Sequence, residues 1–498
     1  MSRDQLLWTA FRLLLLLLPS ATADSANKIS VNSRGQFVDG FGRVRIFHGI
    51  NSVLKQPPWY PDQMLNASRL RAYQDWGFNA VRLGTMWAGV QPRKDAVNAT
   101  YLAVLSKIVT TLAEHGMYSI MDMHQDVLTS KYGSYDGVPR WLVDSFPPPP
   151  QPYPWPLPGP PTPSQWAEGY ITWAVGSAFQ YLYKNESGSL THWANFWRSL
   201  ASAVRTSDHV LGYELINEPW AGDVYNRPAL LLPGVAGRDN LLPVYDYLTQ
   251  VLAKEDPSRI VFYEPVTWSL VVGGTGSGGT GFDRLPGGPA NANRSALSYH
   301  YYCWIVSPGD GIYPLWKRLA CDALLLTRNL ENAKEATAAT GGGRFLTEFG
   351  LCAPTGQANA TGTIECNEVL QRTDEEQQSW TYWDSNFTRA DGSWNWDVVR
   401  SFARAYPMAT AGQPVSYKFN LTSGRFDFAY QPDPEVRAPT VVFLPISVHY
   451  PSGASVNVTG GYTSRLEGNQ LLVQPPSGTR RGARAAVDTV VTVTVTRK

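Results

Sequence analysis

Cysteine is scarce, with four in 498 residues, and no two fall in a Cys-x-x-Cys spacing. That spacing marks the usual structural zinc sites, so the sequence predicts no metal centre. An excess of one charge is also missing: 42 Lys and Arg face 41 Asp and Glu, which excludes the field that draws a protein to nucleic acid or to an anionic membrane. Long hydrophobic runs are absent too. The longest, Leu13 to Leu18, lies between Arg12 and Pro19, whereas a membrane-spanning helix needs about 20 apolar residues. The glycine-rich stretch at 273–281 carries no phosphate-loop lysine, so no nucleotide is expected. No cofactor is implied by any motif.

What is present at the N-terminus reads as an export signal over 1–23. Arg3 precedes a short apolar stretch, and Ala21-Thr22-Ala23 supplies the small residues of a cleavage site. The mature chain is then expected to be secreted and soluble, in the extracellular space or in a digestive or lysosome-like compartment. Eight Asn-x-Ser/Thr sequons, at Asn66, Asn98, Asn185, Asn293, Asn359, Asn386, Asn420 and Asn457, fit that route. An oxidising compartment favours disulfides. Four cysteines allow three pairings. The nearest-neighbour one, Cys303 with Cys321 and Cys352 with Cys366, closes two short loops after strands 6 and 7.

Apolar strand-like segments alternate with helix-length amphipathic stretches at 46–51, 80–84, 118–124, 210–217, 260–264, 297–302, 344–349 and 381–384. Eight such strands predict a parallel (β/α)8 barrel within residues 24–405. Between strands 2 and 3, Leu102, Leu105, Ile108, Val109 and Leu112 recur at helical spacing and Gly116 follows as a stop. After residue 405 the pattern turns to short β segments at 415–421, 425–430, 440–443, 455–458, 470–473 and 487–495. They predict a C-terminal β-sandwich over 406–498, with packing on the barrel as its role ahead of independent glycan binding. A proline-rich insertion at 147–163 lacks the backbone donors for helix or inner strand. It is either a stiff surface loop or a rim that presents Tyr153, Trp155 and Leu157 to the cleft.

Two apolar segments end in glutamate: Leu215-Ile216-Asn217-Glu218-Pro219 and Phe345-Leu346-Thr347-Glu348-Phe349-Gly350. A barrel presents catalytic groups at the C-terminal ends of its strands, and two carboxylates suit glycoside hydrolysis. Residues 40–405 resemble glycoside hydrolase family 5, of clan A, through an ordered set of eight positions: Arg82, His124, Asn217, Glu218, His300, Tyr302, Glu348 and Trp383. Lys55, Pro57-Pro58-Trp59, Asp122 to Asp126 and the run from Arg404 to Pro407 resemble the endoglycoceramidases of that family.

The resemblance implies a retaining endo-β-glycosidase that cuts between oligosaccharide and ceramide. It acts as a monomer, in transient contact with a micelle or membrane. Other family 5 activities, on glucan, steryl glucoside or a single-sugar ceramide, are the alternatives. A lectin with an inactive barrel would need a lost carboxylate, and both are present. Glu348 is expected to be an ionised nucleophile beside Arg82 and Tyr302, and Glu218 the acid/base held by His300. Asn217 would meet the sugar 2-hydroxyl. Lys55, Asp122, His124 and Asp126 would bind the first sugar, and Trp383 would be its platform, with Trp173 a further candidate. Tyr301 and Trp304 are expected in the core.

Overall fold

The structure is a computed structural model, and it describes residues 27–133, 137–274, 277–306, 311–383, 387–475 and 490–498. The export signal at 1–23 and Asn386 lie outside the described residues.

Eight parallel strands close into a barrel. They are β4 (His48–Ser52), β5 (Ala80–Gly84), β6 (Tyr118–Asp122), β7 (Val210–Glu214), β8 (Ile260–Tyr263), β9 (Ser295–Tyr302), β10 (Gly343–Gly350) and β11 (Trp380–Tyr382), with β11 pairing back onto β4. Helices cover the outside of the barrel, so strands such as β5, β6 and β7 are buried at every residue. Covered on both faces, they read as continuous apolar runs and not as alternation. The helix expected between strands 2 and 3 spans Ala99–Glu114; the Asn98 side chain caps its start by accepting the Tyr101 N–H, and Gly116 follows it at φ +68°.

Residues 30–45, expected within the barrel domain, belong instead to a sheet of the C-terminal module. The short strands β1 (Ser30–Val31), β2 (Phe37–Val38) and β3 (Val44–Arg45) join β12 (Tyr406–Thr410), β15 (Thr440–Phe443), β18 (Gln470–Gln474) and β17 (Thr463–Glu467) in the order β1-β2-β3-β12-β15-β18-β17. The same hairpin also stops the lower mouth of the barrel. Phe37 packs edge-on against Phe47 and Phe345 at 5.8 and 5.9 Å, over a floor that includes Ile120, Leu211 and Ile260.

A second sheet, β13 (Gly412–Phe419), β14 (Phe426–Pro432), β19 (Val491–Arg497) and β16 (Ala454–Val458), faces the first across a core of Tyr406, Tyr417, Phe428, Phe443, Leu471 and Val493. The expected β-sandwich is present. The segments expected at 415–421 and 487–495 are shifted by a few residues. Two strands went unread. Tyr406–Thr410 contains a proline, and Thr463–Glu467 is exposed at every residue, so it has no apolar alternation.

The sandwich is fixed to the barrel by a buried ion pair, Arg404 Nη2 to Asp374 Oδ2 at 2.7 Å, and by the Tyr406 hydroxyl donating to the Gly77 carbonyl. At Gly77, φ is +90° and an added Cβ would stand 2.5 Å from the Phe443 ring. Glycine is required there by both conformation and space.

Candidate active site

The carboxyl ends of the strands deliver the site. Glu348 lies on β10, and Glu218 follows β7 at a backbone φ of +41°, in the left-handed region that L-residues rarely adopt. One carboxylate oxygen of each lies within 4.8 Å of the other and of a His300 nitrogen. That is the short separation of a double-displacement glycosidase; an inverting enzyme holds its carboxyls about 6.5–9.5 Å apart to admit a water.

Glu348 accepts from Arg82 Nη1 at 2.9 Å and from the Tyr302 hydroxyl. Burial and the Glu348 charge raise the Tyr302 phenol well above its ordinary pKa, so it stays a donor. Glu218 Oε1 lies 2.9 Å from His300 Nδ1. Asn217 accepts from Arg82 Nη2 at 2.8 Å and spends one amide hydrogen on the Gln125 carbonyl, 3.0 Å away.

Arg82 stands beside Glu348 as expected, but it does not line the cleft. It is fully buried and lies below the cleft, where it joins Glu348, Glu214, Asn51 and Asn217 by hydrogen bonds of 2.6 to 3.0 Å. Its role is to set the positions of those groups. Asp122 is likewise fully buried and does not line the cleft; it holds His124 Nδ1 at 2.8 Å and stands 3.3 Å from Arg82. Asn217 is also buried at the cleft base.

The remaining predicted groups meet in one polar corner. Lys55 Nζ contacts Asp126 Oδ2 at 2.5 Å and lies 4.7 Å from the centre of the Trp383 ring. His124 stacks parallel to Trp383 at 5.4 Å and reaches Asp126 through Nε2 at 3.3 Å. Burial opposes a charge on His124, but Asp122 and Asp126 outweigh it and raise its pKa to about 9. Asp126, though buried, is held below the usual carboxylate range by Lys55 and His124.

These groups open into a cleft of about 810 Å³ that combines the polar corner, Glu218, Tyr302 and Glu348 with Val53, Leu54, Trp166 and Leu351. Tyr153, Trp155, Leu157 and Trp173 are not among its lining residues. Trp155 and Trp173 pack instead against Tyr225, and Tyr153 against Tyr132. The proline-rich run is therefore an ordered surface segment outside the cleft lining, and the short helix after it, Pro163–Ile171, lends the cleft Trp166 and Ala167.

Both expected disulfides, Cys303–Cys321 and Cys352–Cys366, are present. They tie down the loops after β9 and β10, beside the cleft. Tyr301 is buried as expected, but Trp304 is 66 % exposed. Further along the chain Ile312, Leu315, Trp316 and Leu319 are exposed as well.

Sequence reading missed two acids beneath the pair. Glu214 takes the Arg82 Nε hydrogen bond, and the Ser298 hydroxyl donates to it. Burial opposes its charge, but Arg82 holds its pKa low. Glu264 is pushed well above the usual carboxylate range by burial and by the Glu214 charge. Glu264 carried a signal: Phe262-Tyr263-Glu264-Pro265 repeats the pattern of an apolar strand closed by Glu-Pro.

A closed parallel barrel with two facing strand-end glutamates defines a glycosidase of the double-displacement kind. The chain belongs to glycoside hydrolase family 5: the model described as cellulase (glycosyl hydrolase family 5) matches residues 38–389, and the family 5 C-terminal domain matches residues 404–489. It is 34 % identical over 493 residues to an endoglycoceramidase of Hydra vulgaris, covering 93 % of this chain and 89 % of that one. It is 33 % identical over 470 residues to an endoglycoceramidase of Cyanea nozakii, covering 87 % and 88 %. Among solved structures, endo-glycoceramidase II from Rhodococcus sp. in complex with ganglioside GM3 matches with a TM-score of 0.73 at 25 % identity, over 93 % of this chain and 99 % of that one. A Cryptococcus neoformans sterylglucosidase 1 shares the fold, with a TM-score of 0.71 at 14 % identity over 95 % and 98 %.

Proposed function

We propose that this chain is a retaining endo-β-glycosidase that hydrolyses the bond between oligosaccharide and ceramide in glycosphingolipids, releasing the intact glycan and ceramide. The observation that carries the reading is the mixed lining of the cleft. Charged groups around Trp383 share it with Val53, Leu54 and Leu351, and the segment after β9, at the same end of the barrel, exposes Trp304, Leu315 and Trp316. The similarity to endoglycoceramidases along most of the chain supports it.

In this mechanism Glu348 attacks the anomeric carbon while Glu218, in its protonated form, delivers its proton to the glycosidic oxygen, and ceramide leaves as the free alcohol. Glu218 then takes a proton from water, which attacks the glycosyl ester and regenerates Glu348. Lys55, Asp126, His124 and Trp383 seat the sugar next to the bond, and Asn217 meets its 2-hydroxyl. Two inversions at the anomeric carbon give net retention.

The exposed arm of Trp304, Ile312, Leu315, Trp316 and Leu319 lies on the face that bears the cleft. With Lys317 and Arg318 in the same stretch, it has the composition of an interfacial anchor, with apolar groups to enter a lipid aggregate and cations at its edge. One chain supplies every group of the cleft, and the enzyme acts as a monomer. The signal at 1–23, two disulfides and the exposed sequons Asn66, Asn185, Asn293, Asn359, Asn420 and Asn457 support secretion as a glycoprotein.

The test is to incubate the purified protein separately with a ganglioside, glucosylceramide, a steryl glucoside and a cello-oligosaccharide and to weigh both products. Intact oligosaccharide plus ceramide from the ganglioside is expected. Turnover of the steryl glucoside or the cello-oligosaccharide without the ganglioside would replace this reading by another family 5 activity.

A further inference from the structure

We infer that Glu264 is a positioning residue for the acid/base Glu218: its carboxyl accepts the Glu218 backbone N–H and faces the outer ring nitrogen of His300, which in turn holds the Glu218 carboxyl. The inference rests on the reading of Glu218 as acid/base given above.

The geometry is a clamp with two arms. Glu264 Oε2 lies 3.2 Å from the Glu218 backbone nitrogen, and its other oxygen lies 3.3 Å from His300 Nε2. His300 Nδ1 closes the loop onto Glu218 Oε1 at 2.9 Å. The first arm acts on a backbone that needs holding, because Glu218 has a φ of +41°, a region that strains a non-glycine residue. Gln125 restrains the same bend from the other side, donating to the carbonyls of Asn217 and Glu218 at 2.7 and 3.0 Å. Glu264 is anchored in turn, as Tyr245 donates to its backbone carbonyl at 2.8 Å.

Pairing with Arg82 does not account for Glu264. Their closest approach is 3.5 Å, while Arg82 already has four hydrogen bonds of 2.6 to 3.0 Å. Burial and the neighbouring Glu214 charge favour the protonated form of Glu264. A neutral carboxyl still offers an oxygen to the Glu218 N–H; its proton is shared with the Glu214 carboxylate, and its other oxygen stays packed 3.3 Å from His300 Nε2, so the ring is held in place against Glu218. Glutamine can keep the bond to the Glu218 N–H and the contact with His300; leucine can keep neither.

The experiment compares Glu264→Gln and Glu264→Leu on two substrates, a ganglioside and a 2,4-dinitrophenyl β-lactoside whose leaving group needs no proton. Loss of acid assistance costs about 10²–10⁴-fold, so Glu264→Leu should lose at least about 10²-fold in kcat/KM on the ganglioside and less than about 5-fold on the activated lactoside. Azide should speed its turnover of the lactoside by replacing the water that needs a base. Glu264→Gln should stay within about 5-fold of wild type on both substrates. Where the leucine variant fails to fold, Glu264→Asp takes its place, since its carboxyl is withdrawn by one methylene and must show the same substrate-selective loss. Equal losses on both substrates, or a glutamine variant as impaired as the leucine one, would overturn the inference. Glu218→Gln is run alongside: if it too loses equally on both substrates, the acid/base reading fails and not the clamp alone.

Discussion

Replacing Arg82 by methionine tests whether the site and the barrel are held by one set of contacts. Arg82 has no exposed surface, and four acceptors lie within 3.0 Å of its guanidinium. Without it Glu348 can still meet water in the cleft, and Asp122 keeps His124. Glu214 is left fully buried with the Ser298 hydroxyl and the neutral Glu264 carboxyl as its remaining donors. Breaking a buried pair by removing one partner costs about 3–5 kcal/mol, a large part of a typical stability of about 5–15 kcal/mol.

The sign with pH follows from Glu214. In the wild type its folded pKa is depressed, so its contribution is present above the unfolded carboxylate pKa and is lost as pH falls through the lower folded value. In the methionine variant the main opposing charge is gone and burial, the largest influence, raises that pKa, so the penalty is greatest at alkaline pH and is relieved on acidification, as buried glutamates reach pKa values of about 8–9. Denaturant unfolding should therefore show Arg82→Met destabilised by about 3–5 kcal/mol near pH 8 and by much less near pH 5. Adding Glu214→Gln should restore most of the loss at pH 8, about 2 kcal/mol or more, without restoring activity. A penalty of the same size at both pH values, or a double variant no more stable than the single one, would refute the account.

Glu348→Gly should regain turnover with azide and give a glycosyl azide of inverted configuration, whereas Glu218→Ala on an activated glycoside should give a retained one; proton NMR of the products decides, and the reverse pattern would exchange the two roles. Unreduced peptide mapping should find Cys303–Cys321 and Cys352–Cys366, and removing either pair should cost about 3 kcal/mol in the chain-entropy model, from sequence separations of 18 and 14; free thiols would contradict the pairing. Asp322, half-buried beside Glu365, has its pKa pushed up to about 8 by burial and by that neighbour's charge; the Tyr313 hydroxyl donates to Glu365 at 2.6 Å and lies 3.4 Å from Asp322. A raised carboxyl pKa gives stability that is full below the unfolded value and lost as pH rises towards 8. Hydrogen exchange at 311–326 should therefore quicken between about pH 5 and 8 more than global opening explains, and Asp322→Asn should remove that dependence.

The barrel was legible because eight parallel strands buried on both faces must be written as apolar runs, and the two catalytic glutamates because each closes such a run. The β1–β2 hairpin was not, since strands of two residues carry no period and their sheet is completed by β12, more than three hundred residues later in the chain. Trp304 follows a tyrosine and a half-cystine that turn inward, and nothing local says that the next ring faces solvent. The site shows the same limit in its electrostatics. Glu214, Glu218, Glu264 and Glu348 are alike as letters, and three of them end or follow an apolar strand. What separates them is a distance to Arg82: 2.6 Å for Glu214 and 2.9 Å for Glu348, but 3.5 Å for Glu264. The first two take the cation's short bonds, and Glu264, beside the charged Glu214, is left to hold a proton. That assignment turns a strand-end acid from a candidate catalyst into a neutral clamp behind one, and it exists only once the strands have closed into a ring around a single guanidinium.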